Sequence, residues 1–218
     1  MILLVGGEKG GSGKSCLAQN LAVYLKQRFN TEILLVDCDP QRTSSDWVQA
    51  RNEQEDLPTI NCVQLYGNIR NDLLSLQNRF DFVVVDCGGQ DSKALRSSMA
   101  VATHAIVPLR PKRRDIKTLP HLKEAVVLTQ CPSLPSQYKR IEEAKEVCRT
   151  YGLNVLDAIT FNRNIYDDSE ERGYTVLELE PEGKAAQEIR NIAEEFIVCE
   201  QGAADHGIAR SQEKASGF

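Results

Sequence analysis

Short runs of consecutive apolar residues alternate along this chain with longer stretches in which apolar residues recur every three or four positions. The runs at residues 2–6, 33–37, 60–65, 82–86, 105–109 and 155–160 show no apolar–polar alternation. Such runs predict strands covered on both faces, as in a parallel sheet. Residues 14–28 place Leu17, Leu21, Tyr24 and Leu25 on one helical stripe, which predicts an amphipathic helix. Residues 68–79, 92–102, 136–151 and 183–198 predict further helices. Strand and helix in turn predict an α/β fold, with one mostly parallel sheet flanked by helices on both faces.

One segment admits two readings. Ile116, Leu119, Leu122 and Val126 form a rough helical stripe over 115–129, with Pro120 early in it. Alternatively, residues 125–129 are a strand and the helix is a stub. About fifteen residues do not hold both at ordinary element lengths. Residues 201–218 are rich in Gly, Ala and polar residues and lack an apolar stripe. They read as a flexible tail, which leaves residues 1–200 as a single domain.

Composition narrows the class. The chain has 218 residues, enough for one α/β domain with a sizeable core. Its 41% hydrophobic and 26% charged content is that of a soluble globular protein. No apolar run approaches the roughly 18–20 residues of a membrane span, and the chain opens directly into a core strand. We therefore expect no signal peptide and no membrane contact. Seven cysteines, an odd number without framework spacing, point to reduced thiols in the cytoplasm. Cys38 and Cys87, in or beside apolar strands, read as small core residues.

The candidate chemistry begins directly after the first strand. Residues 9–15 read Lys9-Gly10-Gly11-Ser12-Gly13-Lys14-Ser15. Glycines let backbone N–H groups curl around a phosphate, where a Cβ would block the approach. The helix starting near Ser15 adds its positive end. Lys14 can reach the β- and γ-phosphates of a nucleotide, and the Ser15 hydroxyl can ligate Mg²⁺. Gly10, Gly11, Ser12, Gly13, Lys14, Ser15 and the next residue, Cys16, form the expected phosphate-binding set. The second strand ends in Asp37-Cys38-Asp39-Pro40-Gln41. Carboxyl ends of neighbouring parallel strands share one edge, so Asp37 and Asp39 are expected to face the same phosphates. Two carboxylates there repel a triphosphate unless a metal or a proton-transfer role accounts for them. The strand at 82–86 ends in Asp86, the Walker B pattern that sets a carboxylate near Mg²⁺.

The loop departs from the usual P-loop. The position six residues before the final lysine, normally Gly, is Glu8, and an additional lysine, Lys9, stands just inside the loop. This resembles the deviant Walker A loop of the ParA/MinD family of P-loop ATPases. The nearest resemblance is to small partition ATPases without an N-terminal helix-turn-helix. The resemblance implies an ATPase using ATP and Mg²⁺ as a dimerisation switch. Lys9 would reach the nucleotide of the other subunit, and Lys14 would hold the phosphates of its own. Asp39 would position the attacking water, and Ser15, Asp37 and Asp86 would form the metal shell, the carboxylates partly through water. Gly88 and Gly89 fall where the family has a loop sensing the γ-phosphate. Pro108 and Pro111, followed by Asp115, resemble a proline segment that flanks adenine, although a plain strand terminator explains Pro111 equally well. Arg163, Tyr166 and Gly173, then Thr175-Val176-Leu177-Glu178, resemble the segment ahead of the family's last helix. The Asn-Lys-x-Asp that reads guanine is absent, which favours ATP.

The resemblance further implies a homodimer in the ATP state, a partner protein that stimulates slow hydrolysis, and non-specific DNA binding in plasmid or chromosome partition. With a net charge of −5, DNA contact requires a local patch. Arg110, Lys112, Arg113, Arg114 and Lys117 are the densest candidate, and a solvated positive face is the competing reading. Residues 203–218 offer only Ile208 and Phe218 as large apolar groups, too few for a membrane-docking helix. Other readings are a MinD- or MipZ-like positioning ATPase, a small-molecule kinase or ligase of the same superfamily, and a nucleotide-gated scaffold that scarcely hydrolyses ATP.

Overall fold

In a computed structural model, residues 1–7, 9–88, 92–112 and 125–198 are described. Glu8, Gly89, Arg113, Arg114, Asp115, Ile116, Lys117, Leu119, Pro120, Leu122 and residues 201–218 lie outside them. The strands are β1 (Ile2–Gly7), β2 (Ile33–Asp37), β3 (Asn61–Gln64), β4 (Phe82–Gly88), β5 (His104–Leu109), β6 (Ala125–Cys131) and β7 (Asn154–Phe161). The helices are α1 (Lys14–Phe29), α2 (Thr43–Asn52), α3 (Arg70–Leu76), α4 (Lys93–Met99), α5 (Tyr138–Thr150), α6 (Asn164–Glu170), α7 (Val176–Leu179) and α8 (Lys184–Ala193), the last followed by a π-turn at Glu194–Val198.

The seven strands form one sheet in the order β3-β2-β4-β1-β5-β6-β7, and every adjacent pair is parallel. The side-chain period of two divides each apolar run between the faces. Leu3, Val5, Leu35, Val84, Ile106 and Val127 turn to the face covered by α1 and α8. Ile2, Leu4, Leu34, Val36, Val83 and Val85 meet Ile69, Leu73, Ala94 and Leu95 around α3 and α4 on the other. That second face continues where Val107, Leu109, Val126 and Leu128 pack on Ile141, Ala144 and Cys148 of α5. The architecture matches the α/β reading, and six of the described strands fall on the six apolar runs.

β6 decides between the two readings of 115–129 for the residues described. Ala125–Leu128 is buried throughout, so no polar stripe is present to face solvent, and the segment pairs with both β5 and β7. Three of the described helices, α2, α6 and α7, have no counterpart among the helices expected from the sequence. α2 carries only Trp47 and Val48 as buried apolar residues, and α6 and α7 are short.

Candidate functional site

The carboxyl ends of β1, β2 and β4 lie side by side. Asp37 is in register with Asp86, and Gly7 with Gly88. The loop leaving β1 turns at Gly11 and Gly13, whose φ values of 68° and 78° lie in the left-handed region that glycine adopts without strain. α1 then begins at Lys14 with no side-chain cap at Gly13, so the N–H groups of its first turn face the loop. Thr129 at the end of β6 pins this turn by donating to the Ser12 carbonyl at 2.8 Å. Lys14 Nζ donates to the Lys9 carbonyl at 2.7 Å, and Ser12 Oγ to the same oxygen at 3.4 Å.

Lys14 is 9% exposed. Burial lowers the pKa of its ammonium, while Asp86 and Asp39 pull it back up. A Cβ on Gly88 would stand 2.9 Å from Lys14 Cε and 3.2 Å from an Asp39 oxygen. Lys14 and Asp39 therefore converge on a backbone that only glycine leaves open. Asp39 sits half-buried at the lip of the site, where its carboxylate accepts from the N–H of Gln41, two residues on, at 2.9 Å.

The two buried carboxylates differ in their partners. Asp37 accepts from the Asp39 N–H at 3.0 Å and from both the N–H and the hydroxyl of Ser45 at 2.8 Å. It thereby satisfies an orphan donor in the first turn of α2, as a capping side chain does. Asp86 accepts from the Ser44 hydroxyl at 2.7 Å and from Ser15. Burial pushes its carboxyl up to about 6, against the pull of those hydroxyls and Lys14, with Asp37 adding to the rise. Ser15 and Asp86 offer hard oxygen donors beside the Lys14 ammonium, with the Asp37 carboxylate in register next to Asp86. This set fits Mg²⁺, which is held by one or two carboxylates together with phosphate oxygens rather than by a protein cage. Among the described residues no group of three or more His, Cys, Asp or Glu forms such a cage.

Beside the loop opens a cleft of about 240 Å³, lined by Gly13, Cys16, Gln130, Asn162, Arg163 and Tyr166 among others. Glu188 holds two of these walls. It accepts from Arg163 Nε at 2.7 Å and from Tyr166 OH at 2.9 Å. Gln130 adopts φ 50° at a bulge between β6 and β7, a left-handed conformation uncommon for a residue with a side chain and concentrated at binding sites. Pro111 lies in a neighbouring cleft of about 250 Å³ with Arg110, Lys112, Pro132 and Arg140, and Gln130 and Asn162 belong to both. The structure thus gathers Gly13, Lys14, Ser15, Asp39 and Asp86 at one edge and Cys16 beside them. Lys9 stands half-buried at the rim. Ser44 and Asn162 carried no expectation from the sequence, and Gln130 only that of falling in the family's adenine-contacting stretch 129–132. The run of hydroxyl residues Thr43-Ser44-Ser45, one position beyond Asp39-Pro40-Gln41, was the available signal for Ser44. A bulge has none.

The chain matches the family described as the CobQ/CobB/MinD/ParA nucleotide-binding domain over residues 3–176. The protein belongs to this family. It is 28% identical over 211 residues to the maintenance of carboxysome distribution protein A of Halothiobacillus neapolitanus, covering 89% of this chain and 95% of the relative. The fold is that of the MinD cell division protein of Aquifex aeolicus, with a TM-score of 0.67 and 16% identity over 88% of this chain and 95% of that one. It is equally that of a putative plasmid partition protein of Borrelia burgdorferi B31 bound to AMPPNP, at a TM-score of 0.68 and 16% identity over 88% and 96%. The seven parallel strands and the loop between β1 and α1 are those of a ParA/MinD-type P-loop ATPase. No described helix is long and apolar enough to cross a membrane.

Proposed function

We propose that this protein is an ATP-driven dimerisation switch that positions a cargo, with DNA as the matrix on which it acts. The observation that carries this reading is the two-lysine loop. Lys14 is buried among Asp86 and Asp39, as a lysine serving its own subunit's phosphates should be. Lys9 stands at the rim, from which an ammonium can serve the nucleotide of a second copy. The carboxysome relative and the plasmid partition neighbour are named for different cargoes. We assign the switch and leave the cargo to the partner protein that stimulates it.

In this reading ATP lies along Gly10–Ser15, with its base toward the cleft of Cys16, Gln130 and Asn162. Mg²⁺ held by Ser15 and Asp86, with Asp37 behind them, would offset phosphate charge. Asp39 accepts a hydrogen bond from a water and aligns it with the γ-phosphorus. The water oxygen bonds to the γ-phosphorus as the bond to the bridging oxygen breaks, giving ADP and phosphate, and the proton released from the water passes by way of Asp39 to solvent. Such catalysis is positioning and charge stabilisation, so turnover is slow until a partner completes the site. Arg110, Lys112 and Arg140 around one cleft support a phosphate-contacting surface that needs no base code.

Size-exclusion chromatography with light scattering tests the switch. The parent should be monomeric with ADP and dimeric with ATP. Lys9→Ala should bind ATP as the parent does and remain monomeric. If Lys9→Ala dimerises normally, the two-lysine mechanism is wrong.

A further inference from the structure

The start of α2 delivers two successive hydroxyls to two carboxylates on adjacent strands. Ser45 serves Asp37 and Ser44 serves Asp86. The turn is set by Arg42, which caps α2 at φ 60°. Ser44 is fully buried, and its Oγ lies 2.7 Å from Asp86 Oδ2. Gln19 of α1, 1% exposed, directs its amide to Ser44 Oγ at 3.4 Å and to Glu170 of α6 at 3.3 Å. This contact decides the direction of the next one. With the Gln19 N–H donating to Ser44 Oγ, the serine hydrogen is left for Asp86.

We propose that Ser44 is a positioning residue for the metal site, holding the Asp86 carboxylate in the orientation that receives Mg²⁺ with the nucleotide. The inference rests on the nucleotide–metal reading above. Asp86 has two hydroxyl donors, from Ser15 of the loop and Ser44 of α2. Ser15 is itself assigned to the metal, so its hydroxyl orients with the ligand. Ser44 is fully buried behind Asp86, is assigned no contact of its own with nucleotide or metal, and keeps its place through Gln19. Outer-shell hydrogen bonds of this kind fix the orientation of a ligating carboxylate, and their removal commonly costs ten- to a hundredfold in metal affinity. An alanine at position 44 would leave one Asp86 oxygen without its α2 donor and the Gln19 amide with Glu170 alone. Asp86 could then rotate.

The test is equilibrium binding of a fluorescent ADP (mant-ADP) to the full chain, with Mg²⁺ varied and with EDTA. Ser44→Ala should raise the Mg²⁺ concentration for half-maximal tightening roughly tenfold, with EDTA-state affinity equal to the parent's. Ser44→Thr, which keeps the hydroxyl, should restore the parent's Mg²⁺ requirement. An unchanged Mg²⁺ requirement in Ser44→Ala overturns the proposal. So does an equal loss of affinity with and without Mg²⁺, which would mean that Ser44 merely docks α2. If the Ala variant does not fold, Ser44→Cys carries the same comparison with a weaker donor and a smaller expected rise. A parent whose ADP affinity ignores Mg²⁺ overturns the metal site itself, and the role of Ser44 with it.

Discussion

Asp86 is buried at the end of a central strand, and its ionised form is held there against desolvation. Its carboxyl is pushed up from 3.8 to about 6, so the folded chain binds this proton more tightly than the unfolded chain does. Stability linked to Asp86 is therefore greatest below about pH 4 and falls as pH rises to about 6, beyond which the cost is complete. That gap corresponds to about 3 kcal/mol. Without nucleotide, Asp86→Asn should thus be more stable than the parent at pH 8 by up to about 3 kcal/mol. The advantage should shrink toward zero at pH 4. Urea unfolding at pH 4, 6 and 8 checks this, and a variant less stable than the parent at pH 8 would show that the ionised carboxylate is favoured by the fold. In our reading such a carboxylate serves binding at the expense of the empty protein's stability, a trade common at functional sites. Lys14 shows the same conflict from the cationic side, its pKa lowered by burial. Lys14→Ala should abolish ATP binding in calorimetry, because in this enclosed loop its charge counts for more than it would in water. Unchanged affinity would remove the phosphate role.

α2 is the element that joins the site to the rest of the fold. Its first turn holds Asp37 and Asp86, while its last turn is clamped at the other end by residues of later elements. Arg51, 1% exposed, donates to both Glu178 oxygens at 2.8 and 2.6 Å, to the Gly173 carbonyl at 3.2 Å and to the Pro58 carbonyl at 3.0 Å. Trp47 Nε1 adds a bond to the Tyr174 carbonyl at 3.0 Å. Glu178 also completes the capping box of α7 with Thr175. Gly173 is required for two reasons: its φ is 75°, and a Cβ would stand 2.4 Å from the Arg51 backbone nitrogen. Arg51→Ala leaves a buried carboxylate unpaired and should lower stability by about 3–5 kcal/mol. Gly173→Ala should be destabilising through the same contact, and thermal melting of both variants reads the effect. A loss below 1 kcal/mol for Arg51→Ala would mean that α2 is held chiefly elsewhere. The stretch Gly173–Glu178 was legible in the sequence as family-like but without a role, because the clamp joins residues more than 120 positions apart. The strands were legible because burial on both faces leaves an unbroken apolar run. α2 was not, because its buried face is built from Ser44, Trp47, Val48 and Arg51. Two of those are polar residues whose burial depends on partners in other elements. The phosphate loop was legible because its glycines and lysine act locally. Gln130 was not, because its backbone is set by a bulge against β7.

At the scale of the whole molecule, the net charge of −5 opposes DNA, whereas the cleft of Arg110, Lys112 and Arg140 concentrates positive charge at the strand ends near the loop. A switch that uses such a surface must couple it to the nucleotide and must also be reset. The half-buried Asp39 is the group on which resetting depends in our reading, since it adjoins Gly88 and Lys14 yet is not enclosed like Asp86. If it aligns water and contributes little to holding the ground state, removing it should lower kcat with little change in ATP affinity. Asp39→Ala should then bind ATP, dimerise and remain dimeric, because the step that returns it to monomer is blocked. Asp37→Ala should behave differently. It removes the acceptor of the Ser45 bonds and should loosen α2, so both Mg²⁺-dependent binding and thermal stability should fall together. Phosphate release, light scattering and thermal melting on the two variants separate the roles. If Asp39→Ala turns over ATP like the parent, water alignment belongs to another residue. If it cannot bind ATP, Asp39 is part of the binding site itself, and the division of labour between the two carboxylates is reversed.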